Sequence, residues 1–471
     1  MTLVDDLQAL LGPDRVHSHP LELLVYAKDS GVTPGEAVAA VLPETTQEVA
    51  ACVRTAARHG VPVVARGTGT GLAGGAVPDL PALLVVMTRV DPPWEIHRGS
   101  RCAWVGAGAL NLDVSRGVEE LGLHFAPDPS SEAACTVGGN VGTNAGGPHC
   151  LAEGTTVAHI LGMEMVTASG EVVVLGGAAP DPVGLDLRGV VVGSEGTLGI
   201  VTRVLVKLTE NAPAVRTLLL TFDSIRDAAA TVSSVIGDGI VPAALEMMDQ
   251  PTVIAVDAFT RGDLPVGAAA VLLAEVVGLD AAVDEEARTI ERIGREQGAT
   301  SVRVAADEAE RTLLWKARKS AFGAVAQTAP DYFLNDAVVP RTALVDVVTE
   351  IYAIGDRFGV KMLNVFHAGD GNIHPLVVYD AREPGMTDQV RAAAEEMMRV
   401  AVAAGGSLTG EHGVGLLRRD LMDLVFTPID LDAQARLRDA FDPDGILNPG
   451  KVLPRGARCN DFGMIPEPGG D

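Results

Sequence analysis

An α+β chain of two domains is predicted, the second built on an antiparallel sheet. Three observations carry this. The chain has 471 residues, beyond the size at which one core keeps growing. Its first part alternates strand-like and helix-like stretches around three glycine clusters. At Asn211-Ala212-Pro213-Ala214 the pattern changes to strand, helix, strand, helix, which reads as an antiparallel sheet with helices on one face.

The elements follow in order. The chain opens Met1-Thr2-Leu3-Val4-Asp5-Asp6, acidic where a secretory leader is basic. Thr45-x-x-Glu48 is a capping box at a helix start. Val49, Cys52, Val53, Ala56 and Ala57 form the helix's buried stripe, and Gly60 closes it. Residues 61–65 read as a strand. It leads into the first glycine cluster, Arg66-Gly67-Thr68-Gly69-Thr70-Gly71-Leu72-Ala73-Gly74-Gly75. The second cluster spans residues 136–147 and the third residues 193–199. Beyond the boundary, 217–222 and 269–277 read as strands, 226–236 and 283–297 as helices. A turn-rich stretch, 441–451, follows a short helix.

Composition removes several function classes. Lys and Arg number 36 against 62 Asp and Glu, a formal charge of −26, which argues against binding a nucleic-acid backbone or an anionic membrane unaided. The five cysteines, Cys52, Cys102, Cys135, Cys150 and Cys459, form no C-x-x-C pair. That excludes a recognisable iron–sulfur or zinc–thiolate site and fits a reducing compartment. The longest apolar run, near 264–274, is about half of the roughly 20 residues a spanning helix needs. A soluble, cytoplasmic protein is expected.

Gly69-x-Gly71-x-x-Gly74 matches the dinucleotide fingerprint formally, but its context fails. The fingerprint needs a helix to start within the motif. Here Pro78 and Pro81 follow closely and forbid one. Alternating glycines can instead aim several backbone N–H groups into one concavity that takes phosphate oxygens. Three such segments in this order point to a large nucleotide cofactor held by loops.

The histidines cluster late. His367-Ala368-Gly369-Asp370-Gly371-Asn372-Ile373-His374 lies between apolar runs, and Asp370-Gly371 signals a two-residue hairpin turn. A turn centred there pairs 367 with 374 and sets the imidazoles directly opposite on one face, a grip for one divalent metal. Glu411 of Gly410-Glu411-His412-Gly413 is the expected third ligand. In an extended segment His412 then points the other way, toward substrate. Either hairpin histidine alone reads as an ordinary core residue; the symmetry and the Glu-His pair favour metal.

These segments together resemble a known family. Arg66–Gly75, Pro127–Gly147 and Gly193–Thr202 are similar to the FAD loops of the vanillyl-alcohol oxidase / p-cresol methylhydroxylase superfamily. His367–His374, Gly410–Gly413 and Leu447-Asn448-Pro449-Gly450-Lys451 resemble its FAD-linked D-2-hydroxyacid dehydrogenase branch. Leu245-Glu246-Met247-Met248-Asp249, Leu314-Trp315-Lys316-Ala317-Arg318 and Pro330-Asp331-Tyr332 look like the catalytic D subunits of bacterial glycolate oxidases within it.

The resemblance implies the superfamily's two-part FAD-binding domain with an antiparallel α+β cap. The domains would be 1–215 for FAD, 216–420 for substrate and metal, and 421–471 returning to the FAD domain. Arg66, Gly67, Gly69, Thr70 and Gly71 would meet the pyrophosphate. Pro127, Asp128, Ser131, Gly138, Gly139, Asn144 and Gly147 would line the rest of the cofactor, with Glu195, Ile200 and Asn448 on its other side. The first loop lacks the histidine that carries covalent FAD in some relatives, so non-covalent FAD is implied. Arg318 matches the arginine that clamps the substrate carboxylate, a role suited to a planar fork. Leu334 stands where relatives acting on 2-hydroxyglutarate carry a lysine, which favours a short, apolar-ended acid.

The implied activity is oxidation of a short 2-hydroxy acid, glycolate to glyoxylate first and D-lactate second. Its machinery is Arg318, His412 as base, and one divalent metal (zinc among the candidates) on His367, His374 and Glu411. Electrons would leave through iron–sulfur and second flavin-fold subunits. A non-catalytic flavin-binding subunit is the alternative of another class, and the full histidine set counts against it.

Overall fold

The computed structural model describes residues 2–179 and 184–455, so Cys459 and the end of the predicted C-terminal segment lie outside the described residues. The chain divides into two units. The first takes residues up to 146, 155–211 and from 411 onward; the second takes 147–154 and 212–410.

The first unit holds two sheets. In one, Ala37–Val41, Ala82–Val86 and Val63–Arg66 run parallel, with Val16–His17 antiparallel at the edge. Near-continuous apolar sequence in these strands suits a sheet covered on both sides. The helix Thr46–Arg58 packs its stripe of Val49, Cys52, Val53 and Ala56 into this core. Ala57 is exposed rather than part of the stripe. The capping box is half formed: Thr45 accepts from the Glu48 N–H, while the Glu48 carboxylate takes the Glu44 N–H and Arg15 instead. The second sheet is antiparallel, in the order Glu95–His97, Cys102–Gly106, Ile200–Lys207, Ile160–Val166, Val172–Gly176. The C-terminal segment returns here: Leu447 lies parallel beside Val63, and the Asn448 N–H donates to the Val63 carbonyl at 2.8 Å.

The glycine clusters differ from one another. No helix follows the first, as the prolines dictate. The second was expected to be a loop, but Val137–Thr143 is a helix. Thr136 caps it by accepting from the Gly139 N–H at 3.2 Å. Its glycines serve close approach: a Cβ on Gly138 would sit 2.7 Å from the Ala107 Cβ.

The second unit is built on one antiparallel sheet. Its order is Ala299–Val304, Ala214–Phe222, Ala270–Gly278, Ala244–Asp249, Lys361–His367, Asn372–Tyr379, Asp331–Leu334. Helices were expected on one face only, and both faces carry them. On the face of Leu220, a Cβ on Gly294 of the helix Asp280–Glu296 would come within 2.3 Å of the leucine. On the same face Tyr352 of Leu344–Phe358 donates to Asp249 at 2.8 Å. The opposite face is polar and buried. The register sets Thr217 beside Glu275, and Glu246 beside His367 beside Asn372. Buried carboxylates demand partners, and the helix Glu308–Lys319 supplies them from Arg311, Trp315 and Arg318, spaced for one helical face.

Candidate active site

In the second unit, the hairpin differs from the expected one. His367 pairs with Asn372 and His374 with Val365, across a four-residue turn, not His367 with His374. The Gly371 N–H reaches the Ala368 carbonyl, and the Asp370 carboxylate accepts from the Asn372 N–H at 3.0 Å, which locks the longer turn. Gly371 adopts φ +82°, and a Cβ there would meet the Val339 carbonyl at 2.1 Å. The register moves by two residues, so both histidines keep the same face as diagonal neighbours. Their ring centroids lie 5.0 Å apart, edge to face, and each offers a ring nitrogen within 4.8 Å of the other's.

Three groups around this pair escaped the sequence reading. Glu246, fully buried, lies 2.5 Å from Arg318 Nη2, and both its oxygens lie 2.9 Å from His367 Nδ1. Asp336, also buried, stands 3.6 Å from His374 Nδ1 and accepts from Thr409 Oγ1 at 2.6 Å and from the Gly410 N–H at 3.0 Å. It thereby anchors the chain immediately before Glu411. Asn372 faces His367 across the hairpin with a buried, unpartnered Oδ1. A signal for Glu246 was available: a carboxylate inside a largely apolar strand is costly unless paired.

Arg318 is 1% exposed, and its Nε and Nη1 have no hydrogen-bond partner. A guanidinium offers five N–H donors, so this one keeps buried donors on Nε and Nη1 without an acceptor. Leu334 pairs with Leu376 and shares the His374 face. One and two helical turns back from Arg318, Trp315 and Arg311 donate to Glu275 at 2.6 and 2.9 Å. Burial pushes the Glu275 carboxyl up, but hydrogen bonds from His149, Arg311 and Thr217 outweigh it and hold it well below the usual range. His149 stacks on Trp315, so the segment 147–154 is fixed into this unit. Gly147, expected beside the cofactor, belongs to that segment, where its N–H donates to Cys150 Sγ.

In the first unit, the three glycine clusters meet although they lie far apart in sequence. A Cβ on Gly67 would sit 2.2 Å from Thr136 Oγ1, and one on Gly75 would sit 2.6 Å from Glu195 Oε2. Asn448, at φ 41°, donates to the carbonyls of Gly75 and Glu195 at 2.7 and 2.6 Å. Glu195 Oε1 accepts from the N–H groups of Val414 and Gly415 at 2.7 and 2.9 Å. Burial pushes the Glu195 carboxyl up, against the pull of those N–H groups.

Arg66 works as a strut: its guanidinium donates to the carbonyls of Tyr26, Lys28 and Thr68. Position 69 takes glycine on two counts: its φ is +82°, and a Cβ would strike that guanidinium. Gly71 has open space, with nothing nearer than 3.8 Å to a built Cβ. Thr70, Asp128, Ser131 and Gly139 are half-buried, and the Pro127 carbonyl accepts from Asn111. Asn144, at φ 53°, accepts from the Val157 N–H. The Ile200 side chain lies in the hydrophobic core, leaving only its backbone available to a cofactor. Residues 410–412 bend, so Glu411 and His412 do not point opposite ways; Glu411 Oε1 lies 3.5 Å from His412 Nε2. Gly413, at φ +81°, sustains the bend.

Glu195 Oε2, Asn448 Oδ1 and Lys451 Nζ are buried without a hydrogen-bond partner. Orphaned polar atoms beside glycine cradles fit a polar cofactor. Lys451 was not singled out from sequence. Burial lowers its ammonium from 10.5 to about 8, despite Asp79 and Glu195 nearby. The unfolded chain keeps that proton up to its ordinary 10.5, so this lysine makes stability rise with pH between about 8 and 10.5. The gap corresponds to about 3 kcal/mol. Lys451→Met is therefore expected to stabilise the flavin-free protein below pH 8, with the gain fading toward pH 10.5. Urea unfolding of both proteins across that range checks it; a constant difference would mean the ammonium is not desolvated.

A family profile described as "FAD linked oxidases, C-terminal domain" matches residues 212–452, and one described as "FAD binding domain" matches residues 37–176. The protein named "Glycolate oxidase subunit GlcD" in Escherichia coli (strain K12) is 43% identical over 90% of this chain and 85% of its own length. A "D-lactate dehydrogenase" of Archaeoglobus fulgidus is 31% identical over 88% of this chain and 90% of its own. The structure of p-cresol methylhydroxylase with substrate bound superposes with a TM-score of 0.81 over 96% of both chains, at 18% identity, a likeness of fold.

Proposed function

This chain belongs to the FAD-linked oxidases, and from that footing we propose that it oxidises a short 2-hydroxy acid, glycolate to glyoxylate first among them. One observation carries the reading: a buried arginine with unpartnered guanidinium N–H groups stands beside two histidines on one sheet face.

When bound, FAD supplies the two-electron acceptor for the hydride that leaves the substrate Cα. The first unit's cradle of Gly67, Gly69, Gly71, Glu195 and Asn448 would hold it. No histidine stands in the first loop, and the Cys135 thiol, which burial pushes up, is a poor nucleophile. The flavin is therefore non-covalent: acid precipitation of the yellow protein should release all of it as FAD, and flavin left on the pellet would overturn this.

Arg318 takes the substrate carboxylate through an N–H group that has no partner, on Nε or Nη1. Leu334 offers no charge for a second carboxylate. His367, His374 and Glu411 suit one divalent metal, zinc among the candidates, which when bound would supply Lewis-acid polarisation of the hydroxyl. Two imidazoles and a carboxylate are a common catalytic donor set, and Asp336 holds Gly410, the residue before Glu411. His412 accepts the hydroxyl proton on a ring nitrogen. No helix among the described residues is long and apolar enough to cross a membrane. The E. coli relative is named as a subunit, which supports partner subunits; the reading proposed for them is iron–sulfur and second flavin-fold companions that take the electrons. The four described cysteines form no disulfide with one another.

The Archaeoglobus relative favours a second reading, D-lactate oxidation. Steady-state rates on glycolate, D-lactate, L-lactate and D-2-hydroxyglutarate with a dye acceptor separate the two. Activity confined to D-2-hydroxyglutarate would overturn the short-acid reading.

A further inference from the structure

We infer that Glu246 is a positioning residue that holds the single ring proton of His367 on Nδ1 and so reserves the Nε2 lone pair for a metal. The inference deepens the reading of His367 as a ligand and rests on it. Nδ1 lies 2.9 Å from both Glu246 oxygens and 3.4 Å from Arg318 Nη2. A carboxylate only accepts and a guanidinium only donates. A bare Nδ1 lone pair would face two oxygens at closer range than the Arg318 donor, a repulsive arrangement. A proton on Nδ1 satisfies the nearer pair, and the Arg318 approach is then a contact rather than a hydrogen bond. Arg318, 2.5 Å from Glu246 Oε2, balances the buried carboxylate's charge and keeps it an acceptor. Direct register carries Glu246 opposite His367 on neighbouring strands, so backbone hydrogen bonds fix this geometry. Carboxylates behind metal-bound histidines set the tautomer and ring orientation, and losing one typically weakens metal binding about 10–100-fold.

Glu246→Gln is the near-isosteric test. Arg318 would claim the amide oxygen and leave the amide NH2 facing Nδ1, which favours the wrong tautomer. Zinc affinity is measured on the full-length, FAD-loaded proteins by competition with a chromogenic chelator. The variant is expected to bind zinc about 10–100-fold more weakly than wild type while keeping its flavin. Equal affinity overturns the inference. A wild type that binds no zinc overturns the metal reading instead. Nitrogen-15 NMR of histidine-labelled, metal-free wild type decides the tautomer independently, and decides the matter should the variant fail to fold. The His367 signals, assigned by their loss in His367→Asn, should show the proton on Nδ1; a proton on Nε2 overturns the inference whatever the zinc result.

Discussion

His374→Ala is expected to lose bound metal and to turn over about a thousandfold or more slowly, with FAD still in place. Lewis-acid help is worth several kcal/mol at the transition state, and each 1.36 kcal/mol is tenfold in rate. The size of the loss follows from where His374 sits. It is fully buried in the sheet between Asp336, Phe322 and His367, so water cannot readily replace it as a ligand. The flavin is spared because the glycine cradle belongs to the first unit and His374 to the second. Elemental analysis and the flavin spectrum of the purified variant check both halves. Full metal occupancy in His374→Ala would remove the hairpin from the metal site.

His412→Ala is expected to keep both metal and flavin while flavin reduction slows by about 10²–10⁴, the usual cost of losing a general base. An imidazole with an ordinary pKa near 6.5 is a competent proton acceptor at neutral pH. The deficit should narrow as pH rises, since solvent hydroxide can substitute for the missing base. Glu411→Ala provides the contrast, losing metal at every pH. Rapid-mixing measurement of flavin bleaching separates this step from reoxidation. Undiminished bleaching in His412→Ala at pH 7 would exclude His412 as the base. The bend that brings Glu411 and His412 within 3.5 Å makes the comparison between them necessary.

Much of the fold was legible because it rests on local rules. Pro78 and Pro81 forbid a helix after the first glycine cluster whatever surrounds them, and none forms. Period-two alternation carries His367 and His374 to one face, and a register change of two residues leaves that intact. The second cluster misled for a related reason. Its glycines suggested a loop, but a capping threonine and tight packing on Ala107 make a helix where glycine is wanted for its small size.

By itself the sequence determined the helix start at Thr45, the clustering of histidines and the glycine-rich stretches, since each depends on neighbours a few residues away. Tertiary structure alone decided the partners of buried charge. Glu246 is 121 residues from His367, and Glu275 is 36 from Arg311. Asn448 is 253 from the Glu195 carbonyl it holds. Each pair exists because a desolvated charge or backbone polar group must find its complement wherever the fold brings one, and no local pattern encodes which one that is.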